Sequence, residues 1–168
     1  MDLSFIAKQK NLGEQLVQKA LRKNKMLVIG ESCTGGIISS IITSVPGSSK
    51  VFDQGLVTYS NKSKIDLLGV KESTLKNKGA VSKEVVIEMV SGLFRISQAN
   101  IALSISGVAG PGNLNSQKPE GLIWIAYGFK GSMINTQMLK IKPLGRDHVR
   151  QKSSVEALKL LLKLLGNP

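Results

Sequence analysis

Apolar side chains at positions 3, 6, 12, 16, 17, 20 and 21 recur at close to helical spacing, which predicts an amphipathic helix over 3–23. The uninterrupted apolar run 26–29 predicts a short buried strand. A glycine-rich loop over 30–36 follows, then a helix over 37–42 and a turn cluster of proline, glycine and serine at 45–49. Loose alternation over 51–59 predicts a second strand, and 61–68 and 73–77 read as short helices. The segment 82–95 reads as a longer helix, with Ser82 as N-cap and Glu84 in its first turn.

Strand patterning returns at 100–106, 122–127 and 133–141, and an amphipathic helix over 146–165 closes the pattern. The short connection 128–132 makes the last two strands an antiparallel pair. Helices and strands alternate early, whereas the late strands run consecutively. The expected fold is therefore a three-layer α/β/α domain with a mixed five-stranded sheet, one domain over 1–168. The segment 107–121 is a long loop rich in glycine, proline and asparagine, a length more common in functional loops than in plain connectors.

Composition narrows the compartment and chemistry. One cysteine allows no internal disulfide and no Cys-rich zinc site. No apolar run approaches the ~20 residues of a membrane span, and the first residues lack a signal-peptide pattern, so the expectation is a cytoplasmic protein without a membrane partner. The net charge of +12 comes mostly from lysines spread along the chain, and aromatic content is only 4%. Without a basic block or a base-stacking platform, solvated lysine-rich helix faces explain the charge better than a nucleic-acid surface.

Four segments carry candidate chemistry. Gly30 to Gly36 (GESCTGG) lies between a strand and a helix. It has the glycine spacing of a phosphate loop, but Gly36 and Ile37 replace the lysine and hydroxyl residue that a nucleoside triphosphate requires. It half-matches a nucleophile elbow around Ser32, with Thr34 in place of the second glycine. Amides of Thr34, Gly35 and Gly36 at a helix start could hold an anion or an oxyanion. An ordinary strand-to-helix turn, N-capped by Ser32 or Thr34, fits the same residues.

Tyr59 to Lys64 (YSNKSK) follows the second strand. If the first two strands are parallel, this loop and Ser32 share one crevice, and a desolvated Lys64 could serve as general base. A solvated polar loop is the alternative. Ser106 to Asn113 (SGVAGPGN) offers glycine amides at Gly107 and Gly110 that could form an anion nest, or merely a connector. Arg146 and Arg150 are four apart on one helical face and could bind a phosphate together, or be a solvated helix start. His148, the one histidine, stands between them and is a poor candidate for a catalytic triad. Cys33, next to Ser32, is chemically the better nucleophile, but it reads as a small packing residue pointing away.

Taken together, 31–36 (ESCTGG), 45–49 (VPGSS), 57–61 (VTYSN) with Lys64, 68–70 (LGV), 79–82 (GAVS), 106–112 (SGVAGPG), 118–119 (KP) and 145–147 (GRD) with Arg150 resemble, in order over nearly the whole chain, the CinA C-terminal domain family. Stand-alone members of that family are nicotinamide-nucleotide amidohydrolases. The resemblance implies a serine amidohydrolase with Ser32 as nucleophile, Lys64 and Tyr59 in its activation, and a three-layer α/β fold. It implies nicotinamide mononucleotide as substrate, deamidated through an acyl-enzyme to the acid mononucleotide, with no metal or organic cofactor. Arg146 and Arg150 are the candidates for the 5′-phosphate. Larger relatives carry an extra N-terminal domain, which this sequence is expected to lack, and a homo-oligomer, a dimer, is the expected assembly. The sequence departs from the family pattern in two places: Asn113, Leu114 and Asn115 follow Gly112 where a further glycine pair is usual, and Glu120 replaces a small apolar residue. A non-catalytic nucleotide-binding module and a basic nucleic-acid-binding domain are the rival readings.

Overall fold

The computed structural model describes residues 3–111 and 118–166. Six helices and five strands follow in the order α1 (Leu3–Arg22), β1 (Leu27–Glu31), α2 (Ile37–Thr43), β2 (Phe52–Val57), α3 (Asn61–Leu68), α4 (Glu72–Lys78), α5 (Lys83–Ile96), β3 (Ile101–Gly107), β4 (Leu122–Phe129), β5 (Asn135–Lys140) and α6 (Arg146–Leu164). A 3-10 turn, Ser48–Lys50, lies in the cluster before β2. The sheet order is β2-β1-β3-β4-β5. β1 is parallel to both β2 and β3, whereas β3–β4 and β4–β5 are antiparallel, so the sheet is mixed as expected.

Strand alternation divides the core into two. Leu27, Ile29, Ile101, Leu103, Ile105, Ile123 and Ile125 face one way and meet buried side chains of α1, α2 and α6. Val28, Ala102 and Ala126 face the other way and meet α3, α4 and α5. The second face is built from small residues, and it holds its helices close. A Cβ at Gly30 would come within 3.1 Å of Leu93, and one at Gly92 within 2.1 Å of the Leu68 carbonyl oxygen. Ser104, fully buried on this face, donates to the Val86 carbonyl at 2.7 Å, so its hydroxyl is satisfied inside α5.

Local signals set the helix ends. Ser60 and Ser63 form a reciprocal capping box at the start of α3, and Gly69, in the left-handed region, ends that helix. Ser82 caps α5 by accepting from the Val85 amide, as its sequence position suggested. α2 departs from the expectation. Neither Ser32 nor Thr34 caps it; its N-cap is Gly36, which offers no side chain. β1 also runs two residues past the apolar run, to Glu31, because backbone pairing with β2 and β3 continues to that residue. β2 ends at Val57, two residues short of the expected end. Among the described residues, no helix is long and apolar enough to cross a membrane.

Candidate active site

Because β1, β2 and β3 run parallel, the loops leaving their C-terminal ends gather at one edge of the sheet. Ser32 leaves β1, Thr58 and Tyr59 leave β2, and Gly107 closes β3. At that edge lies a cleft of about 180 Å³ lined by Ser32, Cys33, Tyr59, Lys64, Ser106 and Arg146, with Ala80, Val81, Gly107 and Ala109 completing its wall.

Lys64 sits one turn into α3 and points inward, 1% exposed. Its Nζ lies 3.0 Å from Ser32 Oγ, 2.6 Å from the Thr58 carbonyl oxygen and 3.5 Å from that of Tyr59. No carboxylate pairs with it among the described residues. Burial disfavours the ammonium form and pulls the pKa down from 10.5 to about 8. A neutral amine has two N–H groups and one lone pair. With the N–H groups on the Thr58 and Tyr59 carbonyls, the lone pair is left for the Ser32 hydroxyl.

Ser32 is itself 8% exposed. Its amide donates to the Ile105 carbonyl at 3.1 Å, and the Glu31 carbonyl before it accepts from Thr58 at 2.8 Å. The loop that carries Ser32 is thereby stitched to both neighbouring strands. Cys33 touches the cleft wall as well, but it is 5% exposed and packs into the cluster beneath α6. Burial pushes its thiol up to about 12, so it stays protonated and a poor nucleophile at neutral pH.

The loop amides are unequally occupied. Gly35 donates to the Ser32 carbonyl at 3.1 Å and Gly36 to the Glu31 carboxylate at 3.0 Å. Among the described residues the Cys33 and Thr34 amides find no acceptor. The Thr34 hydroxyl, fully buried, has no partner either. Of the three glycine-loop residues expected at the site, Thr34 therefore keeps a free donor, while the amides of Gly35 and Gly36 are engaged.

The two arginines have separate places. Arg150 donates from Nε to the Cys33 carbonyl at 3.1 Å and from Nη2 to that of Thr34 at 2.9 Å. It clamps the Ser32 loop from α6. Arg146 donates to the Gly110 carbonyl at 2.6 Å and to the Tyr59 hydroxyl at 2.7 Å, and it lines the cleft. Tyr59, 60% exposed, reaches Lys64 through its carbonyl and Arg146 through its hydroxyl. His148 makes an edge contact with Phe5, ring centroids 5.5 Å apart, and does not border the cleft.

Sequence reasoning missed several parts of this wall. Ser106 donates to the Ala80 carbonyl at 2.8 Å, and Lys118 donates to the carbonyls of Lys78 and Val81. These bonds hold the turn before α5 over the cleft. Both residues stood in the motifs, but their roles depend on contacts across the fold. Glu120 packs its carboxyl against Gly110, within 2.3 Å of where a Cβ would stand. Asn113, Leu114 and Asn115, like Gly112, lie outside the described residues. No group of three or more metal-ligating side chains is assembled among the described residues.

Fold and site together define an α/β protein with a buried serine–lysine pair at the C-terminal edge of its parallel strands. The chain belongs to the CinA C-terminal domain family, whose model matches residues 9–165. It is 42% identical to a CinA-like protein of Petrotoga mobilis over 93% of this chain, but over only 38% of that relative's length. It is 42% identical to the nicotinamide-nucleotide amidohydrolase PncC of Enterobacter agglomerans, covering 84% of this chain and 85% of the relative. The PncC of Escherichia coli is 40% identical, over 89% and 90%. A crystal structure of the competence/damage inducible protein CihA from Agrobacterium tumefaciens superposes with a TM-score of 0.89, at 34% identity, over 94% of this chain and 95% of that one.

Proposed function

We propose that this chain is a nicotinamide-nucleotide amidohydrolase that deamidates nicotinamide mononucleotide, with Ser32 as nucleophile and Lys64 as general base. The observation that carries the chemistry is the 3.0 Å approach of a buried lysine, its pKa lowered to about 8, to a serine hydroxyl. The names of the two PncC relatives, matched over most of their length, support the substrate class.

Lys64 takes the hydroxyl proton as Ser32 Oγ attacks the carboxamide carbon. The free amides of Cys33 and Thr34 are the candidates to hold the oxyanion, replacing a broader set over 34–36. The C–N bond breaks as Lys64 returns its proton to the leaving nitrogen, which departs as ammonia. Water, deprotonated by Lys64, then attacks the ester carbon, the C–Oγ bond breaks, and Lys64 returns the proton to Ser32 Oγ as the acid mononucleotide leaves. Tyr59 orients Lys64 through its carbonyl rather than relaying the proton through its hydroxyl, which lies on Arg146. Both arginines hold protein oxygens, but Arg146 borders the cleft and Arg150 does not, so Arg146 is the better candidate for the 5′-phosphate. An ammonia-release assay over free nicotinamide, its mononucleotide and aliphatic amides tests this reading. Saturable binding of the mononucleotide with no ammonia would instead make the chain a binding module.

A further inference from the structure

β1 ends on an unusual residue for the floor of a protein. Glu31 is fully buried, and no cation pairs with it among the described residues. Its carboxylate instead accepts from the amides of Gly36 at 3.0 Å, Ile38 at 3.2 Å and Ser39 at 2.8 Å, and from the Ser39 hydroxyl at 2.7 Å. A buried carboxylate is costly unless such donors surround it. The site is shaped for it from the far side as well. Ser39 packs against Gly55 of β2, where a Cβ would lie 2.1 Å from the Ser39 hydroxyl oxygen.

These bonds join the end of β1 to the first turn of α2 across the loop that carries Ser32. With Arg150 holding two carbonyls of that loop and Ile105 accepting the Ser32 amide, the arch is tied at both ends and along its length. Only Cys33 and Thr34 keep free amides among its described residues. We propose that Glu31 is a positioning residue: by closing this arch it keeps Ser32 on Lys64 and leaves the Cys33 and Thr34 amides for the oxyanion. The inference rests on Ser32 being the nucleophile. Glutamine is a poor substitute despite its shape, because its amide nitrogen must face at least one of the N–H donors that the carboxylate accepts.

The test compares wild type, Glu31→Gln and the milder Ser39→Ala, which removes one of the four donors. Folding is checked by cooperative thermal unfolding, and Ser39→Ala keeps the question open should Glu31→Gln not fold. Two readouts are taken. One is turnover of the mononucleotide. The other is phosphonylation by a small fluorophosphonate, in which Ser32 Oγ–P forms, P–F breaks, fluoride leaves and Lys64 takes the proton. Removing an oxyanion donor lowers turnover on the order of 100-fold, so Glu31→Gln should lose about that much in kcat and in labelling rate. Ser39→Ala should lose about tenfold, and KM should stay within about threefold in both. The pH midpoint of the rate should stay that of Lys64, a result that general unfolding of the site would not give. Folded variants with kcat and labelling near wild type, or a loss confined to KM, overturn the proposal. Wild type that is labelled at Ser32 but releases no ammonia defeats the substrate assignment alone, and labelling then still decides the role of Glu31. Wild type that resists labelling at Ser32 overturns both.

Discussion

Lys64 Nζ stands 3.0 Å from Ser32 Oγ, although 32 residues separate the two along the chain. The parallel pairing of β1 with β2 makes the approach, because it brings the loop after each strand to the same edge of the sheet. The capping box at Ser60 then starts α3 so that its first full turn directs Lys64 back under β1. A lysine so placed keeps a usable fraction of neutral amine near neutral pH, which a solvated lysine does not.

The rate should follow that fraction. With the pKa at about 8, kcat/KM should rise with pH through a midpoint near that value and then level. Lys64→Met should abolish turnover while retaining mononucleotide binding, and Lys64→Arg should not rescue it, because arginine keeps its proton. A pH–rate profile and calorimetric binding check this. A flat profile from neutral pH upward, or an active Lys64→Met enzyme, places the base elsewhere.

The same burial has a cost in stability. At pH 7 Lys64 is charged in both the native and unfolded states, and its lowered native pKa measures the penalty of burying the ammonium. A shift from 10.5 to about 8, at about 1.4 kcal/mol per unit, amounts to roughly 3 kcal/mol, part of it offset by the hydrogen bonds that methionine would forgo. Lys64→Met should therefore be more stable than wild type at pH 7 by about 1–3 kcal/mol in urea unfolding. The gap should narrow as pH rises from about 8 to 10.5, where the native amine has shed a proton that the unfolded chain still holds. Cys33 acts in the opposite sense above pH 9, because the unfolded thiol ionises before the native one. Both proteins carry it, so its effect cancels apart from the small part of its shift that the Lys64 charge sets.

Much of this arrangement was legible beforehand. The helix and strand order followed from spacing, because each element buries one face and its apolar residues repeat with that face. The mixed sheet followed from the short connection after Phe129. The separation of Arg146 from Arg150 was not legible. Four residues apart on a helix places both on one face, yet it does not say which carbonyls each will meet. Glu31 was hidden for a related reason: an acidic residue beside a glycine-rich loop reads as part of the loop, and its partners at Ile38 and Ser39 are set only when α2 folds back over it. A glutamate directly after the buried run Leu27 to Gly30 was the available signal.

The two arginines should separate in kinetics. Charge-assisted hydrogen bonds contribute about 1.5–3 kcal/mol, so Arg146→Met should lower kcat/KM for the mononucleotide by about 10- to 100-fold. It should affect free nicotinamide, which has no phosphate, much less. Arg150→Met acts through the carbonyls of Cys33 and Thr34 and should slow both amides by similar factors. Steady-state kinetics on both amides decide it. Equal losses for Arg146→Met on the two would remove the phosphate from that residue.

The buried thiol should be silent. Held protonated, with its pKa pushed up to about 12, Cys33 should resist iodoacetamide at pH 7.5 in the native protein and react on unfolding in urea. Intact-mass spectrometry before and after denaturant reads the difference. Rapid native alkylation would contradict the placement of Cys33 in the core.

The most direct measurement of the central claim is ammonia release from nicotinamide mononucleotide by wild type, Ser32→Ala and Cys33→Ala, side by side. Ser32 and Cys33 differ by one position, but the Ser32 hydroxyl meets Lys64 whereas Cys33 packs into the core beneath α6. The account predicts steady ammonia release by wild type, release by Cys33→Ala within about threefold of it, and none above background from a folded Ser32→Ala. Retained release by Ser32→Ala with loss in Cys33→Ala would make the thiol the nucleophile and contradict the account.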